Sequence, residues 1–314
     1  MSPWTLALLQ ALLFVICAPL FSAWIRRVKC WLQNRRSPPL IQPYQDLRRL
    51  FSKQVVLAHN ASIVFRFTPY IVAASMLLAA MVIPLVAVNL PTAAIADVIV
   101  LAGFFALGRF FLALAGMDIG TAFGGMGSSR EMTISALAEP AMLMAVFTLA
   151  MVASSTNLST VIGVILDEGL VLRPSLLFAF LSLVLVGIAE TGRIPVDNPT
   201  THLELTMIHE AMILEYSGRQ LAMIEWAAQL KLMIYGVLIA NIFFPWGIAE
   251  HIDALSLLIA FFAIALKLFL TGILLACGET LLAKMRLFQV PAFLVLALTF
   301  SVIGLLSHII LEIN

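Results

Sequence analysis

Charge is what this sequence has least of. Only 11% of its 314 residues are Asp, Glu, Lys or Arg, against roughly 25% in a soluble domain, while 62% are hydrophobic. With a mean hydropathy of +1.06, a soluble globular protein is excluded and an all-α, polytopic membrane protein is predicted. Cysteine is nearly absent as well. Cys17, Cys30 and Cys277 are scattered, with no CxxC pair, which excludes a disulfide framework and a cysteine-ligated zinc or iron–sulfur site. The five histidines form no HExxH, and His202 with His209 supplies too few ligands for a metal. Soluble domains, low-complexity tracts and strong internal repeats are missing too, so residues 1–314 read as a single integral membrane domain. The formal net charge of +1 gives no ground for a nucleic-acid partner.

What is present is a series of apolar runs. A bilayer core of roughly 30 Å needs about 20 helical residues at 1.5 Å each. Eight runs qualify, near residues 3–25, 69–90, 97–117, 140–157, 174–190, 231–249, 255–277 and 290–311. The first lacks a basic start and is followed by Arg26, Arg27 and Lys29. That order fits an uncleaved helix that begins outside the cell rather than a cleaved signal peptide.

The cations set the predicted orientation. Loop 26–68 holds nine of them: Arg26, Arg27, Lys29, Arg35, Arg36, Arg48, Arg49, Lys53 and Arg66. With eight spans, the loops near 118–139, 191–230 and 278–289 share its side and add Arg130, Arg193, Arg219, Lys231, Lys284 and Arg286. The opposite side has only Arg173. Fifteen cations against one predict a cytoplasmic basic side, with both termini on the non-cytoplasmic side of the cell's inner (plasma) membrane.

Against this background the stretch from Ala189 to Ser217 stands out. It carries Glu190, Asp197, Glu204, Glu210 and Glu215 between two apolar runs. Asn198 and Pro199 read as the cap and first residue of a helix running to about Glu215. At 100° per residue, Glu204 and Glu215 would share a face while Glu210 lies far round it. One reading is a solvated cytoplasmic loop whose acids interact weakly with Arg193 and Arg219. The other is a buried, hydrated acidic funnel, in which desolvation and like-charge neighbours ready some carboxyls to carry protons.

Other residues invite the second reading. Between Gly116 and Glu139 the chain carries Asp118, Arg130 and Glu131, with glycines at 116, 120 and 124 spaced for close helix approach. No GxxxxGK[ST] accompanies them, which removes a nucleotide loop. Arg109 lies inside the third span and Lys267 near the middle of the seventh. A charge at such depth needs a partner or water.

Two segments together resemble the H subunit of respiratory complex I. Residues 26–50, from Arg26 through Arg35, Arg36, Tyr44 and Asp46, resemble the "Q-x-R-x-G-P…Q-x-Y-D…K-L" loop after its first helix. Glu190, Arg193, Pro195 and Asp197 match its "E-x-x-R-x-P-F-D" signature, and Glu215 to Gly218 also match. Within that superfamily the chain is more similar to the formate hydrogenlyase and hydrogenase-4 branch. The matching segments include Gly108-Arg109-Phe110-Phe111, Gly116 to Gly120, Gly127 to Glu131, Glu139-Pro140, Phe244 to Gly247, Lys267 and Glu279. Ser37 stands where the family usually has Gly, Val196 where it has Phe, and Thr200 and His202 where hydrogenase relatives are usually acidic; Glu204 is retained.

The resemblance implies a membrane anchor and coupling subunit, not itself catalytic. It would link electron transfer in a soluble arm to proton or sodium translocation. Its partners would be hydrophilic iron–sulfur and hydrogenase-like subunits on the cytoplasmic side, docked on Arg26, Arg27, Arg35, Arg36, Tyr44 and Asp46, together with antiporter-like membrane subunits and the lipid bilayer. Iron–sulfur clusters and [NiFe] would lie in those partners and none in this chain, with a quinone as a less favoured ligand. The implied coupling network is Glu190, Arg193, Asp197, Glu204, Glu210 and Glu215, extended by Asp118, Arg130, Glu131, Glu139, Arg109, Lys267 and Glu279. Rival readings are a quinone-site subunit of a complex-I-type oxidoreductase, a stand-alone ion transporter and a purely structural anchor.

Overall fold

The computed structural model describes residues 3–88, 90–168, 173–197, 207–249, 253–282, 285 and 289–312. Among them the regular structure is helical, broken only by two isolated β-bridges. The helices are α1 (Pro3–Leu32), α2 (Gln42–Ser52), α3 (Ile63–Val82), α4 (Val98–Asp118), α5 (Ala122–Val152), α6 (Leu158–Glu168), α7 (Pro174–Glu190), α8 (His209–Ile213), α9 (Gly218–Phe243), α10 (Ala254–Leu281) and α11 (Val290–Ser307). A 3₁₀ turn at Pro91–Ile95 and a π turn at His308–Glu312 complete the order.

Seven helices are long and apolar enough to cross a bilayer: α1, α3, α4, α5, α9, α10 and α11. The eighth predicted span is α7, which has 17 residues and starts on Pro174, where the missing N–H is harmless. The chain is therefore an all-α, multi-pass membrane protein, as its composition requires.

α9 forms the centre. Its most apolar stretch is 67% buried, against 17% for α10, which packs only on α1 and α9 at the periphery. α3 and α4 pack on one another beside α9, and α5, α7 and α11 form a second group that meets them through α4 and α5. Phe105 of α4 stacks on Tyr235 of α9, with ring centroids 4.8 Å apart, at the junction of these groups. The α4–α5 hairpin is as tight as its glycines predicted. A Cβ on Gly124 would overlap the carbonyl oxygen of Gly116, and one on Gly116 would lie 2.5 Å from Ser128 Oγ. Gly120 instead supplies the turn, at φ +72°.

Several predicted boundaries move, each for a local reason. The predicted loop 118–139 is mostly helix: Thr121 caps α5 by accepting from Gly124 N, and Pro140 lies inside α5 rather than at its start. Its polar residues have protein partners, so they need no water-exposed loop. The predicted span 69–90 stops being helical at Val82, and the one predicted at 231–249 begins at Gly218 and ends at Phe243. Pro84 and Pro245 lie just past the two ends, where proline cannot continue a helix. Loop 26–68 contains α2, the last turns of α1 and the start of α3. The proposed helix start at Asn198 and Pro199 lies outside the described residues, as does Glu204. Met207 is not helical and α8 covers only His209–Ile213, so an unbroken helix reaching Glu215 does not form. Side chains bind the backbone there instead: Asp197 Oδ2 accepts from Ile208 N and His209 N at 3.3 Å each, and Arg130 Nη1 donates to Met207 O at 2.9 Å.

A buried charge cluster as the candidate functional site

Arg109 sits in the middle of α4 because Gly108 before it lets α4 press on α3; a Cβ there would lie 2.9 Å from Ser75 Oγ. Its guanidinium, only 3% exposed, faces carboxylates from two other helices. Nη2 pairs with Glu190 Oε1 at 2.7 Å, at the end of α7, and Nη1 lies 3.4 Å from Glu139 Oε1 on α5. Glu131, also on α5, approaches Nε at 4.0 Å. Ser135 bridges the α5 side by accepting from Arg109 Nη1 at 2.9 Å and donating to Glu139 Oε1 at 2.8 Å. A second cation completes the cluster: Lys231 of α9 donates to Glu190 Oε2 at 2.8 Å.

Glu190 is thus held between two cations and is itself 2% exposed. Breaking such a buried pair is far more costly than breaking a surface pair. The cluster contains three carboxylates (Glu131, Glu139, Glu190) and two cations (Arg109, Lys231). The fixed cations therefore fall one short of the acids.

Beside it lies a cavity of about 80 Å³, lined among others by Arg109, Glu131, Glu190, His209 and Lys231. A water molecule needs roughly 10–15 Å³ of such space and two to four polar partners, so several fit. Arg109 Nε and Nη2 make no aligned hydrogen bond with the protein, although Nη2 touches Glu190, and water in this cavity would meet them. His209 enters the lining from α8. Burial pushes its imidazole below its ordinary range, the Lys231 ammonium acts in the same direction, and Glu210 and Asp197 oppose them.

A second, smaller cluster ties the segment after α7 to the far side of the bundle. Glu279 of α10, 2% exposed, accepts from Lys29 of α1 and from Arg193, each at 2.9 Å. Met285 N donates to Pro195 O at 3.0 Å. The segment 191–197 therefore runs from Glu190 in one cluster to Arg193 in the other, and then to the buried Asp197.

The predicted residues accordingly divide. Glu190, Arg109, Glu131 and Glu139 come together, Arg193 joins Glu279, and Asp197 and Arg130 fix residues 207–209. Asp118 accepts from Ser62 N at 3.0 Å and so holds the start of α3. Lys267 contacts Asn241 Oδ1 at 3.2 Å, away from both clusters. Glu215 is exposed, so the five acids of 189–217 do not form one enclosed funnel, and Arg193 pairs with Glu279 rather than with them. Arg26, Arg27, Arg35 and Arg36 are exposed. Tyr44 donates to the Ile16 carbonyl, and Asp46 accepts from Gln42 at 2.8 Å within α2. Sequence reasoning missed Lys231, Lys29, Ser135 and His209 as members. Lys231 lies thirteen residues into a helix that counting had begun at that residue, so it passed as a loop cation. Among the described residues no group of three or more His, Cys, Asp or Glu is arranged to hold a metal.

The whole chain has relatives. The NADH dehydrogenase family model matches residues 5–309. Formate hydrogenlyase subunit 4 of Escherichia coli (strain K12) is 34% identical over 284 residues, spanning 90% of this chain and 92% of the relative. Hydrogenase-4 component C of the same organism is 34% identical over 283 residues, or 89% of this chain and 88% of that one. The H subunit of the NADH-quinone oxidoreductase of Ralstonia pickettii (strain 12J) is 27% identical over 291 residues, covering 85% and 80%. In structure, a chain of the membrane-bound sulfane sulfur reductase, an archaeal respiratory membrane complex, superposes with a TM-score of 0.84, at 19% identity, over 98% of this chain and 99% of that one. That likeness concerns the fold. With nearly its full length matched by family model and relatives alike, the chain belongs to the NADH dehydrogenase family.

Proposed function

We propose that this chain is the membrane anchor and coupling subunit of a complex-I-like, energy-converting hydrogenase or formate hydrogenlyase complex of the cell's inner membrane. Its soluble partners would carry the iron–sulfur and [NiFe] centres and dock on the basic face of Arg26, Arg27, Arg35 and Arg36. Antiporter-like subunits would lie beside it in the bilayer. The observation that carries this reading is the Arg109–Glu190–Lys231 cluster, beside a wettable cavity, in a chain 34% identical to formate hydrogenlyase subunit 4. Protons, not electrons, are what such a cluster can handle, because moving one carboxyl proton changes which of Glu131, Glu139 and Glu190 the two cations hold. Asp197, Arg193 and Glu279 set the position of segment 191–197, so a shift in the docked arm would be felt at Glu190. Glu210 and Glu215 would supply negative charge on the approach to it.

The cavity argues against a quinone held by this chain alone, since drug-sized ligands occupy roughly 300–1,000 Å³ and it offers about 80 Å³. Purification of the tagged chain in mild detergent tests the assignment. Co-purifying iron–sulfur and hydrogenase-like subunits containing nickel and iron are expected. A preparation without them, or turnover that needs added quinone, would overturn it.

A further inference from the structure

Two helices stop inside the membrane and the structure joins their loose ends. α10 runs unbroken from Ala254, and Lys267 stands thirteen residues into it, roughly 20 Å along at 1.5 Å per residue. Yet Lys267 meets Asn241, two residues before the end of α9. α9 therefore ends at about mid-depth of α10, and the chain climbs the rest of the way as non-helical backbone. Gly247 in that stretch lies against Ala263, where a Cβ would come within 2.5 Å. The tail of α3 does the same beside it. Val88 N donates to Ala249 O at 3.2 Å and Ala249 N to Val86 O at 2.9 Å, and Leu85, Val86, Ala87 and Ala249 are all buried. Irregular backbone at membrane depth persists only where protein buries it or water lines it.

Three side chains serve this junction. Asn241 Nδ2 donates to the carbonyls of Pro84 at 2.9 Å and Leu85 at 3.3 Å, and Gln10 Oε1 of α1 accepts from Leu85 N at 3.1 Å. Those contacts satisfy backbone groups that the breaks expose, which accounts for Asn241 and Gln10. They do not account for Lys267. Among the described residues it pairs with no carboxylate, and a methionine would fill the space without the cost of a charge in hydrocarbon. Gln10 Nε2 is the second unexplained group: the residue is 4% exposed and this donor has no partner. Together with carbonyl oxygens that keep a free lone pair, it offers water the two to four contacts it requires.

We infer that the paired helix breaks hold a proton-transfer site, in which the Lys267 amine takes a proton from water and returns it to water bound by Gln10, Asn241 and the Pro84 and Leu85 carbonyls. Only a proton moves; the amine gains one positive charge on uptake, which the oxygens of Asn241 and the carbonyls offset, and loses it on release. The inference rests on the coupling reading above and extends it along α9. Lys231 of the Arg109 cluster and Asn241 are ten residues apart on that helix, about 15 Å, with buried Tyr235 between them.

The test is the complex carrying the chain, reconstituted in proteoliposomes, with luminal acidification by a pH-sensitive dye set against hydrogen evolved from reduced methyl viologen. Four variants are compared at matched co-purification of subunits: Lys267→Arg, Lys267→Gln, Lys267→His and Glu190→Gln. Arginine keeps the charge but does not release a proton, glutamine keeps polarity alone, and histidine keeps proton exchange. Acidification per hydrogen is expected to fall about tenfold or more in Lys267→Arg and Lys267→Gln, and to be partly retained in Lys267→His, with hydrogen evolution intact under uncoupler in all three. Wild-type acidification in Lys267→Arg would mean that a fixed charge suffices, and in Lys267→Gln that none is needed; either overturns the inference. Loss of assembly in Lys267→Arg leaves the Gln and His pair to decide on the same terms. If Lys267→Gln acidifies normally while Glu190→Gln does not, only this site fails; if Glu190→Gln also acidifies normally, the coupling reading fails with it.

Discussion

Removing the carboxylate of Glu190 should strand one cation and not the other. Arg109 retains Glu139 at 3.4 Å and Glu131 at 4.0 Å after Glu190→Gln, whereas Lys231 loses the one carboxylate it pairs with, at 2.8 Å. An opposite charge 4 Å away at an effective dielectric of 20 contributes about 4 kcal/mol, and breaking a buried pair from one side costs about 3–5 kcal/mol. Glutamine keeps a carbonyl for Lys231, so a loss near about 3 kcal/mol is expected for Glu190→Gln. Lys231→Met removes the cation itself and leaves Glu190 on Arg109, for about 1–2 kcal/mol. In the double variant no stranded charge remains, so the summed single effects should exceed the double effect by about 1–3 kcal/mol. Equilibrium unfolding of the purified chain in mixed micelles, titrated with SDS, measures all three. Additivity within about 0.5 kcal/mol would refute the claim that Glu190 holds Lys231 in a desolvated pair.

Three further outcomes follow from named contacts. Gly124→Ala places a Cβ on the Gly116 carbonyl and should cost about 2 kcal/mol or more, while Gly125→Ala, with nothing within 4 Å, should stabilise α5 by up to about 1 kcal/mol; equal effects in the same unfolding assay would contradict the tight hairpin. Glu279→Gln releases Lys29 and Arg193, whose side chains are 25% and 24% exposed, so screening limits the loss to about 1–2 kcal/mol, and protease sensitivity at 191–197 should rise. For His209, burial lowers the folded-state value, so between that value and the unfolded value of about 6.5 the unfolded chain binds more protons. Stability that is full above about pH 6.5 should therefore fall on acidification below it, by at most about 1.4 kcal/mol per pH unit. His209→Gln should remove this part of the slope, and an unchanged slope would argue against a buried neutral imidazole.

How much of this was legible in the sequence depended on whether the signal was local. The spans were readable because hydrocarbon length is a local property, and Arg109 was readable as a residue in need of a partner because an intramembrane guanidinium has few alternatives. Its partners were not, and the second cluster shows why: Arg193 and Glu279 are 86 residues apart in the chain, and no spacing rule links them. The ends of α3 and α9 were hidden for a different reason. Ile83 to Val88 and Phe244 to Ala249 are as apolar as a helix in lipid must be, so hydropathy continues smoothly where hydrogen bonding does not. Pro84 and Pro245 were the available warning, and they read as bends because most intramembrane prolines are tolerated that way. The acidic stretch failed in the opposite sense. Five carboxylates in 29 residues suggested one funnel, but Glu190 and Asp197 turn inward on specific partners while Glu215 turns out.

The two charge clusters are connected by a segment too short to be slack. From Glu190 to Arg193 is three residues, which span at most about 11 Å when extended, yet Glu190 is fixed between α4 and α9 and Arg193 between α1 and α10 through Glu279. A displacement of α10 or α1 of an ångström or two cannot be absorbed in this tether without moving a charge at one end. The Arg193–Glu279 pair, part-exposed on the arginine side, is the weaker anchor, and the Glu190 pairs are the stronger. Motion arriving from a docked partner should therefore break the Glu279 cluster first and leave Glu190 seated. Coupling to the Arg109 cluster would then depend on Asp197, which grips Ile208 N and His209 N on the far side of the same segment and brings His209 to the cavity wall. Asp197→Asn keeps an acceptor oxygen but loses the charge that strengthens both bonds. It should lower proton translocation per turnover more than Glu279→Gln does, although Glu279→Gln removes two ion pairs and Asp197→Asn removes none that includes Glu190. The reverse ranking in proteoliposomes would show that the signal travels through α10 and not through the 197–209 contact.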